Sequence, residues 1–343
     1  MISISLGKPN IWRVGIALAA LAGGGARLEA ADGFFARPAG NLDPFGGPTE
    51  LQDTFLPTQL RHQTYPQSAR VLPPGMFNGS ATVDWTAHLA QTDTYLFDGE
   101  SVTTTLRVRH SPLRAWEFGF DLPYTIRTDG VADRFIEWVE TTLNAKVPAR
   151  FTLPRDTYQA VLETPEGRLV TLRKDQGFSD MTLQAKRQIA RSADHKVDAA
   201  LSFGLSLPTG LESFGGDGVG PSLGLHAQKP FKYFNLFAGA SGIYYTDADY
   251  DGWEMNEMRG MFYGGAMWKP LSWASLILAY QSYSPIAPEN EPLNHFSHYY
   301  SVSFRFYMGK RATLELGVVE NLGIVENRNS SDVTLKAALG MSF

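Results

Sequence analysis

The sequence predicts an all-β chain: a transmembrane, antiparallel, up-and-down β-barrel of about twelve strands, with one amphipathic helix in a long extracellular loop. Three observations predict it. Apolar and polar residues alternate over successive segments of about ten residues, the length a tilted membrane strand needs. The connections between these segments are short and long by turns. The end of the chain, 332–343, alternates without a break. Val333, Leu335, Ala337, Leu339, Met341 and Phe343 share one face; Thr334, Lys336, Ala338, Gly340 and Ser342 share the other. A period of two over that length means a strand with one face in oil and one in a wetter place.

Composition narrows the class further. A chain of 343 residues fills two soluble domains or one large barrel. Its formal net charge of −5 argues against nucleic acid or a polybasic membrane-surface partner. It has no Cys, which removes thiolate metal sites, disulfides and Cys nucleophiles, and suits an exported protein. No run past the N-terminus reaches the roughly 18–20 apolar residues of a spanning helix. A membrane chain without such helices must close a barrel, because only closure also satisfies every backbone group.

The elements follow in order. Lys8 and Arg13 precede an apolar core, Val14 to Ala22, and then Gly23 to Gly25. This reads as a secretory signal peptide over residues 1–30, with cleavage after Ala26, Ala30 or Ala31. Residues 31–76 are rich in Pro, Gly and Asn and lack periodicity. A periplasmic lead-in or a small plug inside the lumen fits them, and the lead-in is the simpler expectation.

Residues 77–343 carry the strands. They are expected at 77–89, 101–109, 116–126, 178–189, 196–207, 219–228, 233–245, 259–268, 273–283, 299–308, 312–321 and the closing segment. The third is the cleanest, with Trp116, Phe118, Phe120, Leu122, Tyr124 and Ile126 against Glu117, Gly119, Asp121 and Thr125. The seventh is apolar on both faces. Links after even-numbered strands are short and those after odd-numbered strands are longer and polar, which puts both termini on the turn side. Trp116, Trp268, Trp273 and Tyr233 are expected in an aromatic girdle at the turns. Tyr95, Tyr124, Tyr245 and Tyr283 are expected in a second girdle at the loops.

The longest loop, 128–177, holds an amphipathic pattern: Val131, Phe135, Val139 and Leu143, joined by Ile136 and Trp138. It predicts a helix of about fifteen residues. Tyr158–Glu163 and Arg168–Arg173 predict an extramembrane hairpin around Pro165-Glu-Gly167.

The inward parity collects charge: Asp84, Arg107, Arg109, Glu117, Asp121, Lys186, Arg305, Glu315 and Lys336. Either these neutralise one another, as buried charges must, or some line a path and bias what passes. Arg107 and Arg109 are expected against Glu117 and Asp121 across two strands. No pattern predicts a cofactor, a metal site or catalytic residues. His295 and His298 lack a matched carboxylate. Asp247, Asp249 and Asp251 lack the later ligands of a calcium loop. Gly215 to Gly220 opens no helix, so it is no phosphate loop. His88 near strand serines is too weak a pairing for an enzyme.

Two resemblances add to this. Leu339, Met341 and Phe343 resemble the C-terminal assembly signal of bacterial outer-membrane barrels. That implies a Gram-negative outer membrane, with membrane lipid, lipopolysaccharide and the barrel-assembly machinery as partners. Gly130-Val-Ala-Asp-Arg-Phe-Ile-Glu-Trp-Val-Glu140, Thr152-Leu-Pro-Arg155 and Gly177-Phe-Ser-Asp-Met181 resemble the bacterial outer-membrane family domain of unknown function 3187. Leu205-Ser-Leu-Pro-Thr-Gly210 and Ser331-Asp-Val333 occur across that family and in barrels likened to aromatic-degradation outer-membrane proteins. The likeness covers about residues 60–343. Val139 or Glu140 stands where such members usually carry His. The family implies fold and location and supplies no catalytic residue. The expected function is a channel or transporter for a small solute, hydrophobic ones included. The alternatives are a closed structural or interaction barrel and a lipid-modifying enzyme.

Overall fold

The computed structural model describes residues 46–130, 133–143, 153–191, 197–211, 213–291, 293–309, 311–321 and 330–343. The signal-peptide segment therefore lies outside the described residues. In chain order the elements are β1 (Phe77–Gln91), β2 (Tyr95–Leu113), β3 (Trp116–Thr128) and the helix α1 (Asp133–Leu143). Three short strands follow: β4 (Gln159–Glu163), β5 (Leu169–Thr171) and β6 (Gln176–Phe178). Then come β7 (Thr182–Ala190), β8 (Asp198–Ser206), β9 (Gly220–Pro230) and β10 (Phe234–Tyr244). A small hairpin, β11 (Asp249–Tyr250) and β12 (Trp253–Glu254), interrupts the series. The rest are β13 (Met258–Trp268), β14 (Ala274–Tyr283), β15 (Ser297–Met308), β16 (Ala312–Glu320) and β17 (Val333–Ser342).

The main sheet has fifteen strands; β4, β5 and β6 are additions at the loop end, so twelve build the wall. Every wall pairing is antiparallel, and β1 pairs with β17 from Asn78↔Ser342 to Ala87↔Val333. Phe77 and Phe343 exchange backbone hydrogen bonds of 3.1 and 2.9 Å at that seam. The sheet therefore has no free edge on the wall, which is what a backbone in hydrocarbon requires. Alternation sorts the faces. Phe118, Phe120, Leu223, Leu225, Phe304 and Leu316 lie exposed outside, while Thr82, Asp84, Thr86 and His88 lie buried inside.

Two expectations about the wall are corrected. The link after β1 is a tight turn, with Thr92 N–H donating to Tyr95 O at 2.9 Å, because β2 starts at Tyr95. Asp98, Gly99 and Glu100 break the apolar rhythm and so read as loop. They pair with β1, Ala87↔Glu100 to Leu89↔Asp98, and β4 pairs alongside from Tyr95↔Leu162 to Asp98↔Gln159. The loop-side girdle is also different. Tyr95, Tyr245 and Tyr283 are buried inside, and Tyr244, Phe262, Tyr300 and Phe178 stand exposed outside instead. Neighbouring residues point to opposite faces, so a choice between Tyr244 and Tyr245 is a choice of parity. Trp268, Trp273 and Tyr233 are exposed near the turns.

The long loop forms α1 and the hairpin β4–β5. The helix is shorter than its pattern, eleven residues. Asp133 sits in its first turn, where a negative charge suits the helix dipole, and accepts from Asp156 N–H at 2.9 Å. Ile136 is buried, but Trp138 is 62% exposed and so leaves the apolar face assigned to it. Val131 lies outside the described residues, as do the side chains of Phe135, Val139 and Leu143.

Candidate functional site

Residues 46–72 run through the lumen as a hairpin. The ascending limb starts beside the descending one, with Ser68 Oγ donating to Gly46 O at 3.0 Å. Its apex is a 3-10 turn, Leu56–Leu60, with Pro57 near its start. Phe55, Leu56 and Leu60 there enter an apolar core with Tyr95, Phe97, Leu162, Val170, Trp253 and Ile286 at the loop end. The limb then returns towards the turns through Tyr65 and Arg70 and runs into β1. A Pro-rich segment with no strand partner must find its hydrogen bonds elsewhere. It finds them on the wall. Tyr283 Oη donates to Leu51 O at 3.2 Å and Lys336 Nζ to Glu50 O at 2.6 Å. Ala69 N–H donates to Gln228 Oε1 at 3.2 Å, and Leu72 N–H to Glu117 Oε2 at 3.0 Å.

Charge fixes the two limbs. Asp53 receives Arg259 at 3.2 Å and the Tyr299 hydroxyl at 2.7 Å. Arg70 meets Asp198 at 2.7 Å, and Tyr65 Oη donates to Asp121 at 2.6 Å. His62 is buried on the descending limb, where its Nδ1 accepts from Gln52 at 3.2 Å. Burial pushes its pKa down to about 4; Asp121 pulls against that shift, and Arg107 and Arg109 add to it. At neutral pH the plug therefore holds an uncharged imidazole.

All nine charged residues expected on the inward face point into the lumen, and they are paired. Asp84 meets Lys336 at 3.7 Å; Arg107 and Arg109 reach Asp121 at 3.6 and 2.6 Å. Lys186 meets Glu117 at 2.9 Å, and Arg305 Nε donates to Glu315 at 2.7 Å. The expected cluster thus forms only in part. Asp121 lies opposite Arg107 in the β2–β3 register, but Glu117 turns to Lys186, its partner across β3–β7.

Among the cavities beside the plug, two lie on this charged wall. The turn-side cavity holds about 130 Å³ and is bordered by Glu50, Arg70, Thr82, Arg107, Lys336 and Ala338, among others. The loop-side cavity holds about 40 Å³ and is bordered by Asp84, Thr103, Thr105, Arg107, Pro123 and Asp180, among others. Both have the volume to hold water. Asp180 accepts from Gly210 and Gly216 N–H at 3.0 Å each, and its burial pushes its pKa up against those bonds.

The chain matches a family model over residues 47–343, described as Protein of unknown function (DUF3187). It belongs to that family. Its fold is similar to that of the COG4313 outer membrane channel from Pseudomonas putida F1, with a TM-score of 0.56 and 14% identity, over 82% of this chain and 100% of that one. The NanC porin aligns at a TM-score of 0.45 and 10% identity, over 77% of this chain and 98% of that one. The toluene transporter TodX of Pseudomonas putida aligns at 0.38 and 12%, over 84% and 92%. No match was found among curated proteins.

The family match begins at residue 47, so it includes the plug. Sequence reading missed the plug side chains that meet the wall and loops, Glu50, Asp53, Arg61, His62, Tyr65 and Arg70. The available signal was their charge: a spacer in water has no need to spend so many hydrogen-bonding groups among prolines. Among the described residues no cluster of His and carboxylates is arranged for a metal ion. Of the two His at 295 and 298, His298 is in β15, where its Nδ1 lies 2.7 Å from the Tyr280 hydroxyl.

Proposed function

We propose that the protein is an outer-membrane channel for small polar or charged solutes, held nearly closed by its own N-terminal segment. One observation carries this. The lumen is charged, filled by residues 46–72, and still hollow on one wall at both ends. A barrel kept only for structure has no need of cavities lined by buried ions. The name of the P. putida barrel, an outer membrane channel, supports the reading. A hydrophobic permeant has less support, because the apolar groups at the loop end form a filled core. A catalytic reading has less still. His88 and His226 face Ser101 and Ser202 at 2.9 and 2.7 Å, but all four side chains are buried in the wall under the plug.

In this proposal residues 1–30 direct export, and Leu339, Met341 and Phe343 present the closing strand to the assembly machinery. Membrane lipid and lipopolysaccharide surround the apolar belt. The test is conductance in planar bilayers and swelling of proteoliposomes, for the full chain and for a chain lacking residues 46–72. Small, discrete currents that grow on removing the segment are expected. Silence from both proteins overturns the reading.

A further inference from the structure

We infer that solute passes beside the plug, along the wall made by β17, β1 and β2, and that Arg107 is the gate on this route. The inference rests on the channel reading above and names its path and its solute class. Arg107 borders both cavities, so at that point one side chain stands between the turn side and the loop side. Its guanidinium lies over the Tyr65 ring, 4.7 Å from the centroid, and Nη1 donates to Thr82 Oγ1 at 3.2 Å. Its ionic partners are looser. Glu50 is 3.7 Å away and Asp121 3.6 Å away, both beyond a direct hydrogen bond. Asp121 is already held at 2.6 Å by Arg109, and the Glu50 side chain is 41% exposed. Arg107 is therefore a cation on a long stem whose departure leaves Asp121 paired with Arg109 and uncovers only the part-exposed Glu50. The neighbouring cations are poorer gates: Lys186 meets Glu117 at 2.9 Å, and Lys336, though 3.7 Å from Asp84, donates to Glu50 O at 2.6 Å.

The lining names the solute class. Six basic side chains, Arg70, Arg107, Arg109, Lys186, Arg305 and Lys336, face the turn-side cavity against three glutamates; their other partners, Asp84, Asp121 and Asp198, balance them from behind and do not border it. A cleft with that excess in low-dielectric walls concentrates anions. The route takes small anions, with dimensions limited by the smaller, 40 Å³ loop-side cavity. The opposite wall offers no such route, because Met261, Tyr263, Ile277, Ala279 and Tyr283 pack there with Leu51 of the plug.

The absence of native Cys makes the route directly testable. Single variants Ala338→Cys, Thr103→Cys and Ala279→Cys report the turn-side cavity, the loop-side cavity and the apolar wall. A charged, membrane-impermeant methanethiosulfonate is added only from the turn side, to oriented proteoliposomes. Expected are labelling at 338 in the parent, none at 103, and a rise of at least an order of magnitude at 103 once Arg107→Ala is added. Position 279 should stay unlabelled throughout. Arg107→Gln, which keeps bulk without charge, should give a smaller rise, and heat-shift on gels confirms that each variant is folded. Position 103 equally reactive in both backgrounds, unreactive in both, or outpaced by 279 overturns the route. A reversal potential favouring cations overturns the solute class. Labelling as expected without solute flux in any variant fails the channel reading and leaves the route standing, so the two failures are distinct.

Discussion

On the wall from β16 through β17 and β1 to β3, inward side chains are ions in pairs, and hollows remain between them and the plug. On the wall from β10 to β15, inward side chains are largely aromatic, sulfur-bearing or aliphatic, and the plug meets them without a comparable gap. The same plug thus has two kinds of neighbour. Apolar side chains gain by excluding every void. Paired ions gain only at particular distances and angles, and the space those geometries leave is polar enough to hold water. A wall of ions leaves a path beside a fixed object, and a wall of methyls and rings does not.

Four measurements break or sharpen that contrast. The largest effect is expected at Asp121, which holds Arg109, Arg107 and the Tyr65 hydroxyl together. Asp121→Ala leaves two buried cations short of a partner and should cost about 3–5 kcal/mol in thermal unfolding in detergent. A loss below about 1 kcal/mol would mean that the charged wall is hydrated enough to need no pairing. Next, Leu51→Ala opens a void on the apolar side, worth about 2–5 kcal/mol by the same measurement. If the void instead gives turn-side thiol reagents access to Ala279→Cys, the apolar wall is a route that one side chain keeps shut.

Third comes pH. Lodged His62 titrates near 4, below its ordinary 6.5, so the lodged plug resists protonation. Acidification therefore costs the lodged state nothing above pH 6.5. The loss begins as pH falls below 6.5 and is complete below about 4. A shift of this size is worth about 3 kcal/mol. Trypsin added from the turn side should cut after Arg61 or Arg70 more readily at pH 5 than at pH 8, after correction for its own pH profile. His62→Gln should flatten that difference, and an unchanged slope would assign the acid response elsewhere. Smallest is the exposed pair Arg168 and Asp251 in the loops, 2.5 Å apart with both side chains more than half exposed. Arg168→Ala should change stability by less than about 1 kcal/mol.

The wall was readable because its information is local. Each strand alternates by itself, as in Trp116 to Ile126, and the short links after even-numbered strands fix the topology. The inward charges were readable for the same reason, since parity alone places Arg107 and Asp121 inside. Their partners depend on register: Glu117 meets Lys186 because β3 and β7 align Glu117↔Lys186, which no single segment encodes. Tyr245 and Tyr283 went to the wrong face because an aromatic near a strand end suits a lipid interface and a packed lumen equally well. The plug was the hardest to read. Its order comes from contacts such as Thr49 with Ser303 and Tyr65 with Asp121, far apart in sequence, and its own stretch carries only breakers.

The shape of the plug has a mechanical consequence. Both of its described limbs point to the same mouth, with Gly46 beside Ser68 and Leu72 leading into β1, and only the bend at Leu56–Leu60 reaches the far end. Such an object leaves a tube as a bolt is drawn, doubled over and without any strand of the cylinder parting. Drawing residues 46–72 out through the turn end therefore needs neither described limb to be threaded past the other, and the bolt can be shot home again along the same track.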